Sequence, residues 1–426
     1  MRINKIKHNI VFVVQLPIPL KAAPAQRIYT FYRHMVKRGF NVFIIGGINL
    51  GINLGEIISS KLAISTVKSE KKEKQLKEHY SKYLEVNAPL YITTRIPYIN
   101  SIVSIILAFY QAIYLVIKKP DVLIVSIPPS DLVLATFLAS RITRSIYIVD
   151  MRDPSEEVLI HYSSKSRIGR LVAKILRKIN YAIYRRADAV IFVTKGMKKM
   201  LENHGLHGFL IPNGADLKIF EPVKKKSQDD DDALCLIFSG GTPDYYDLRP
   251  LILTVRFLNN RGFKIKLFLV GTIGKSIENY IRNVGAENYV EYLGFYSPME
   301  LASKVFSRCH IGVIPRVNDP IFDYAIPAKF YEYVASGLPV LATCRKESEL
   351  AKAVLNHDVG WICEYGDISC ITRTLKKIYL NRSLIEEKRR RALLLRNNID
   401  RNIHAQILVK LVSILLEKRR VLEQRR

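Results

Sequence analysis

The chain reads as an α/β protein built from two doubly wound domains, and three observations lead there. At 426 residues it exceeds what one hydrophobic core usually serves. Short apolar runs alternate with helical patterns from end to end, the signature of parallel sheets covered by helices on both faces. A charged stretch without an apolar anchor splits that series into two comparable halves. With 49% hydrophobic and 24% charged residues, no sustained heptads and no Pro/Gly excess, disordered, coiled-coil and collagen-like classes are excluded.

In the first half the strands are expected at 9–14, 41–45, 122–126, 145–149, 189–194 and 208–212. The first of these follows a basic start and superficially suggests a signal peptide, but its apolar core is too short and no small-residue cleavage site follows. After the second strand, the tandem repeat 47–55 (GINLGINLG) and the Lys/Glu-rich run 68–78 read as a long insert with a surface helix. The longest apolar stretch, 101–117, falls short of the roughly 20 residues a bilayer span needs. It carries Gln111 and two serines and is expected to be a buried core helix, the alternative being a helix lying in a membrane surface. Residues 165–186 form a basic amphipathic helix by spacing. Ile168, Leu171, Val172, Ile175, Leu176, Ile179, Ala182 and Ile183 make one stripe, with Arg167, Arg170, Lys174, Arg177, Lys178 and Arg185 on the other side. That stripe either packs on the sheet or meets a membrane.

The second half repeats the pattern, with strands expected at 234–239, 266–271, 289–293, 311–315, 340–342 and 360–363. Domains are therefore placed at 1–222 and 234–397, joined by a charged linker at 223–233. Residues 398–426 read as a C-terminal helix that can pack back on the first domain. Asp229 to Asp232 in the linker are taken as solvated carboxylates beside three lysines, not as a metal site. The five cysteines are scattered, so unpaired thiols in a reduced compartment are expected, with neither zinc nor a disulfide framework.

Lys+Arg 66 against Asp+Glu 38 gives a net charge of +28, a statement about partners and not about fold. No zinc finger, ribonucleoprotein aromatic motif or helix-turn-helix accompanies it, so nucleic acid is not the expected partner and an anionic membrane surface is.

In open parallel sheets ligands bind beyond the carboxyl ends of the strands, where turns and helix N-termini present N–H groups to anions. The glycine turn Gly240-Gly241-Thr242 and its echo at Gly271 are candidates for a diphosphate, though each also reads as a simple turn. In the stretch 326–343, Pro327 starts a helix and Gly337 ends it. Lys329 and Glu332, three apart, share a face in its first turn. One can meet a phosphate and the other the ribose hydroxyls; an i, i+3 ion pair is the plainer alternative. In the first half, Arg152 and Asp153 follow the fourth strand, either beside the reacting groups or closing a structural turn.

The stretch 326–343 resembles the nucleotide-binding motif of the retaining glycosyltransferases of family 4, in the branch that makes cell-surface polysaccharides. Ala187-Asp188-Ala189-Val190 with Thr194-Lys195-Gly196-Met197, and Ile211-Pro212-Asn213-Gly214-Ala215-Asp216 with Phe220, are similar to that family's other motifs. The resemblance implies a GT-B fold, two Rossmann-like domains facing across a cleft. It further implies an NDP-sugar as co-substrate in the second, a glycan or lipid-linked acceptor in the first, and retention without a bound metal or other cofactor. It makes Asn213, Gly240, Gly241, Thr242, Gly271, Asp323, Tyr324, Pro327, Lys329 and Glu332 donor-site residues, and Lys329, Arg152 and Asp153 the catalytic candidates. Two positions depart from the family. Where relatives carry a first glutamate this chain has Tyr324, with Asp323 beside it. The base that commonly follows the glycine turn is missing, Arg249 being a weak substitute. A nucleotide-sugar epimerase or hydrolase on the same fold is the competing reading; it needs a carboxylate beside the donor sugar, for which Asp323 is the evident candidate.

Overall fold

The computed structural model describes residues 8–14, 23–46, 97–128, 130–163, 167–223, 233–243 and 245–425. The repeat at 47–55, the run 68–78 and the acidic linker residues 229–232 lie outside them. The chain divides into two compact units, Met1–Ile211 with Ala405–Arg426, and Pro212–His404.

Unit 1 runs β1 (Asn9–Val14), α1 (Ala23–Lys37), β2 (Asn41–Gly46), α2 (Pro97–Lys118), β3 (Val122–Ile127), α3 (Leu132–Thr143), β4 (Ile146–Met151), α4 (Ser155–Tyr162), α5 (Arg167–Tyr184), β5 (Ala189–Phe192), α6 (Lys195–Glu202) and β6 (Phe209–Leu210). Among the described residues its strands form one parallel sheet in the order β2-β1-β3-β4-β5-β6. Every residue of β3 and β4 is buried. Strands covered on both faces lose the in/out alternation of a half-exposed sheet, which is why they stand out as continuous apolar runs. The C-terminal helix Arg401–Gln424 closes one face of this unit, where Ala405, Leu408 and Val412 pack with Ile10, Phe12, Phe31 and Ile124.

Unit 2 runs β7 (Leu234–Ser239), α7 (Arg249–Asn259), β8 (Ile265–Val270), α8 (Lys275–Asn283), β9 (Val290–Tyr292), β10 (Ile311–Pro315), α9 (Ala328–Ala335), β11 (Val340–Thr343), α10 (Glu349–Asn356), β12 (Gly360–Cys363), α11 (Ile368–Leu380) and α12 (Ser383–Leu395). Its parallel sheet has the order β12-β11-β10-β7-β8-β9. The direction of winding reverses between β7 and β10, so the crevice for a ligand lies beyond their carboxyl ends. The strand runs expected from sequence are thus present in both sheets.

Three readings change. Residues 212–223 belong to unit 2, ahead of the charged stretch: the Ala215 N–H donates to Ile399 O (3.0 Å), the Val223 N–H donates to Ser336 O (3.0 Å), and Phe220 stacks on Phe306. Cys363 and Cys370 are disulfide-bonded, because a short turn joins the end of β12 to α11 and the first turn of that helix brings Cys370 back beside the strand; Cys235, Cys309 and Cys344 are free and buried. Over residues 108–117 the apolar helix α2 is buried on one face only. Ala108, Gln111, Ala112 and Leu115 point inward, while Phe109, Tyr110, Ile113 and Ile117 are exposed. No helix among the described residues is long and apolar enough to cross a membrane.

Candidate active site

Three turns, following β7, β8 and β9, stack at one end of the sheet of unit 2. The Gly240 N–H donates to Val270 O (2.8 Å), the Gly271 N–H to Gly294 O (2.8 Å), and the Thr242 N–H to Thr272 O (3.1 Å). Thr242 Oγ1 in turn accepts from the Gly274 N–H at 2.9 Å. Glycine is required twice here. Gly240 and Gly271 have φ of 111° and 115°, and a Cβ at Gly271 would lie 2.4 Å from Gly240 O.

Helix α9 faces this layer. Pro327 is its N-cap and Gly337, at φ 74°, follows its end, as the sequence predicts. The helix is seated by Tyr333, whose hydroxyl accepts from the Ser239 N–H (2.9 Å) and donates to Ile237 O (3.1 Å). Gly312 in β10 makes room for that ring, since a Cβ there would meet it at 2.2 Å. The end of β7, and with it the glycine turn, is thereby held in register with α9.

The consequence is the placement of Lys329. Its ammonium sits over the Phe238 ring (3.5 Å to the centroid) and the Tyr246 ring (4.0 Å), and a Cβ on Gly240 would be 3.5 Å from it. The side chain is buried and its Nζ has no hydrogen-bond partner among the described residues. Burial drives the Lys329 pKa well below its ordinary value, with Glu332 opposing and Arg316 adding to the shift. The expected i, i+3 ion pair with Glu332 does not form among the described residues. Burial raises the Glu332 pKa, opposed by the charges of Arg401 and Lys329. A buried amine that faces a glycine turn has the chemistry to meet an anion there.

Other expected donor residues surround this centre unevenly. Asn213 precedes Gly214, which is pressed against the chain at Ile399–Arg401 so tightly that a Cβ would lie 2.4 Å from Ile399 O. Asp323 gives its carboxylate to Arg345 (2.8 Å), and Tyr324 follows it. Arg249 is taken by Asp247 (2.7 Å) and is mostly exposed. No group of metal-ligating side chains occurs among the described residues.

With this geometry in place, the comparisons are decisive. Residues 25–219 match the family described as Glycosyltransferase Family 4, and residues 234–381 match that described as Glycosyl transferases group 1. This chain belongs to the family 4 glycosyltransferases. Its fold is GT-B. It is 20% identical over 216 residues to a probable glycosyltransferase WbjE of Pseudomonas aeruginosa, a match covering 48% of this chain and about half (53%) of that relative's length. Sucrose-phosphate synthase from Thermosynechococcus elongatus aligns with a TM-score of 0.66 at 15% identity, over 97% of this chain and 100% of its own. The Anabaena protein HepE, solved with UDP and glucose, aligns at 0.63 and 14%, over 95% and 99%.

In unit 1 of this glycosyltransferase, Arg152 and Asp153 follow β4. Arg152 is buried, its Nη2 donates to Pro128 O and its Nε has no hydrogen-bond partner among the described residues. Burial lowers its pKa, while Asp153 and Asp150 oppose the shift. Behind it Arg27, an unanticipated residue, donates to Asp150 Oδ1 (2.9 Å) and Oδ2 (3.3 Å) and to Ile211 O (2.9 Å). The loop leads into α4, where Glu156 accepts from Asn180 Nδ2 (3.1 Å) and from the Tyr184 hydroxyl, and Glu157 accepts from Arg177 (3.1 Å) and Tyr181 (2.8 Å). Helix α5 is therefore tied to the Arg152 loop by two carboxylates.

Only the C-terminal end of the stripe on α5 is buried, at Ile183. Ile168, Leu171, Val172, Ile175, Leu176 and Ile179 are all exposed, from 40% at Ile179 to 73% at Ile168, while Ala173, Asn180, Tyr181 and Tyr184 make the inward contacts. Arg316 and Arg401, both buried near Lys329 and Glu332 respectively, escape a motif search because their neighbours come from distant turns.

Proposed function

We propose that this glycosyltransferase moves a sugar from a nucleoside-diphosphate sugar to a lipid-linked glycan acceptor with retention of configuration, in cell-surface glycan synthesis and without a bound metal ion. The observation that carries the reading is the buried, unpartnered Lys329 ammonium at the Gly240 turn. As the bond from the anomeric carbon to the phosphate oxygen breaks, negative charge grows on the departing diphosphate. A cation fixed there in an apolar setting stabilises the transition state more than the ground state. Glu332 is assigned to the ribose hydroxyls, and Arg152 with Asp153 to the acceptor side of the reaction. The HepE structure containing UDP and glucose, and the similarity to WaaG, a glycosyltransferase involved in lipopolysaccharide biosynthesis (TM-score 0.63, 11% identity, 95% of this chain and 99% of that), support the choice of donor and pathway. The epimerase or hydrolase alternative loses its carboxylate, since Asp323 is held by Arg345.

The exposed α5 stripe, bordered by Arg170, Lys174 and Lys178, supports placing the enzyme on the anionic inner face of the cell membrane, where a lipid-linked acceptor resides. The test is a thermal-shift panel of nucleotide sugars, uridine nucleotides first, followed by NDP release with lipid-linked acceptors. A ligand at 100 times its dissociation constant raises stability by about 2.7 kcal/mol. Binding and turnover that persist in EDTA are expected. No shift with any nucleotide sugar, or turnover lost in EDTA and restored by Mg²⁺ or Mn²⁺, overturns the donor or the metal-free part of the reading respectively.

A further inference from the structure

Arg316 follows β10, directly across the reversal of winding from the Gly240 turn, and its backbone N–H donates to Thr343 O at 2.7 Å. The side chain is buried. Its guanidinium lies 5.1 Å from the centroid of Tyr245, 5.3 Å from Tyr246 and 5.1 Å from Phe322, and Nη2 donates to Phe322 O at 3.3 Å. Tyr246 is the same ring that carries the Lys329 ammonium. Neither cation forms an ion pair among the described residues, and Asp323, close enough to feel Arg316, is committed to Arg345.

Two cations buried against one aromatic ring without an ion-paired carboxylate among the described residues repel each other and forgo hydration. The aromatic faces recover part of that loss, on the order of 1–2 kcal/mol per contact. The remainder calls for a ligand with more than one negative charge placed between strand ends β7 and β10. A monoanion would satisfy one of the two groups and leave the other exposed to the same penalty.

Resting on the nucleotide-sugar reading, we propose that Arg316 is the second cation of the diphosphate site, supplying from the β10 turn the base that the Gly240-Gly241-Thr242 turn lacks. Lys329 acts as a point charge beside the glycine backbone. Arg316 offers a planar fork that can bridge oxygens of both phosphates, so the pair distinguishes a diphosphate from a monophosphate.

The experiment is an affinity ladder, measured calorimetrically for nucleoside, nucleoside monophosphate and nucleoside diphosphate, on the full-length wild type, Arg316→Met and Arg316→Lys. The wild type is expected to gain most of its affinity on the step from mono- to diphosphate. Arg316→Met should lose about 10- to 150-fold on that step, the range for a hydrogen-bonded charge, with nucleoside affinity unchanged. Arg316→Lys should recover part of it, because the charge returns without the fork. A diphosphate step in Arg316→Met equal to wild type overturns the assignment while leaving the donor reading intact. So does an equal loss for nucleoside and diphosphate, which marks a merely structural role, with the Arg316→Lys ladder checking that the fold survives. A wild type that binds diphosphate no better than nucleoside sinks the donor reading itself, and this assignment with it.

Discussion

Each unit buries an arginine beside the carboxyl ends of its central strands, yet the two settings are opposite in charge balance. In unit 1, Arg27 meets Asp150 in a bidentate pair, Ser126 Oγ also donates to that carboxylate at 3.1 Å, and Arg152 lies within the field of Asp150 and Asp153. In unit 2, Arg316 and Lys329 share an aromatic wall with no carboxylate paired to either among the described residues. The Arg27–Asp150 arrangement is closed: its charges are spent on holding β4 to α1. The second is open, and an open buried charge is informative because folding alone gives no reason to keep it. The difference separates a structural ion pair from a ligand site without reference to any relative.

The largest effect expected from this comparison is on stability. Asp150→Asn keeps the shape of the side chain but leaves the Arg27 charge buried without its partner, and breaking such a pair costs about 3–5 kcal/mol. Lys329→Met removes a buried charge and should leave nucleotide-free unit 2 as stable as wild type or more so. Guanidinium-induced unfolding of the two variants checks both signs. A Lys329→Met protein destabilised as severely as Asp150→Asn would mean that unit 2 is closed as well.

Turnover should respond in the reverse order. A cation that meets the departing phosphate acts chiefly in the transition state, so Lys329→Met should lower kcat and kcat/KM together, by about 100- to 1,000-fold if it contributes as one oxyanion donor does. A rise in KM alone would make Lys329 a uniform binding group. Glu332→Ala should instead weaken donor binding by about 10- to 150-fold, the range for a charge-assisted hydrogen bond.

Much of this contrast was legible in the sequence, and the limits of legibility have a physical cause. Parallel strands buried on both faces must be continuous apolar runs, so β3, β4, β7 and β10 announce themselves, and glycine turns at φ near 110° admit few other residues. Lys329 and Glu332 are local to one helix and readable by spacing. Arg316 is not, because Tyr245, Tyr246 and Phe322 reach it from two separate loops. Nor could spacing decide which side of α5 faces inward: amphipathicity shows that a stripe exists, while the tie from Glu156 and Glu157 to Asn180, Tyr181, Tyr184 and Arg177 sets the helix on its flank.

A smaller effect sharpens the open site through pH. The Lys329 pKa is lowered in the folded protein relative to its usual 10.5. Between those two values the unfolded chain holds a proton that the folded one has released, so stability of the ligand-free protein rises with pH across the window. The slope is at most about 1.36 kcal/mol per pH unit for a single group. Thermal unfolding of wild type and Lys329→Met across that window should show this slope in the difference between them. Saturating nucleoside diphosphate should flatten it, since the bound anion restores the charge, and calorimetry in two buffers should register proton uptake on binding. Equal pH profiles for the two proteins would show that Lys329 stays charged without a ligand.

The smallest single-residue effects are expected where charge is fully solvated, on α5. Its exposed stripe from Ile168 to Ile179 and the neighbouring Arg170, Lys174 and Lys178 present apolar insertion and attraction side by side. Each basic side chain near an anionic leaflet contributes about 1 kcal/mol, so Lys174→Gln should reduce retention on anionic vesicles only about five-fold. That contribution should fade with salt, as the Debye length falls from about 10 Å at 0.1 M to about 3 Å at 1 M. The apolar part is not screened, and a triple change of Ile168, Leu171 and Ile175 to serine should abolish what high salt leaves. Co-sedimentation with vesicles of graded anionic content, at low and high salt, separates the two contributions. Equal sedimentation with neutral and anionic vesicles would assign the binding to insertion alone. Absence of sedimentation at low salt would remove the membrane from the account and leave the stripe to be covered by a protein partner.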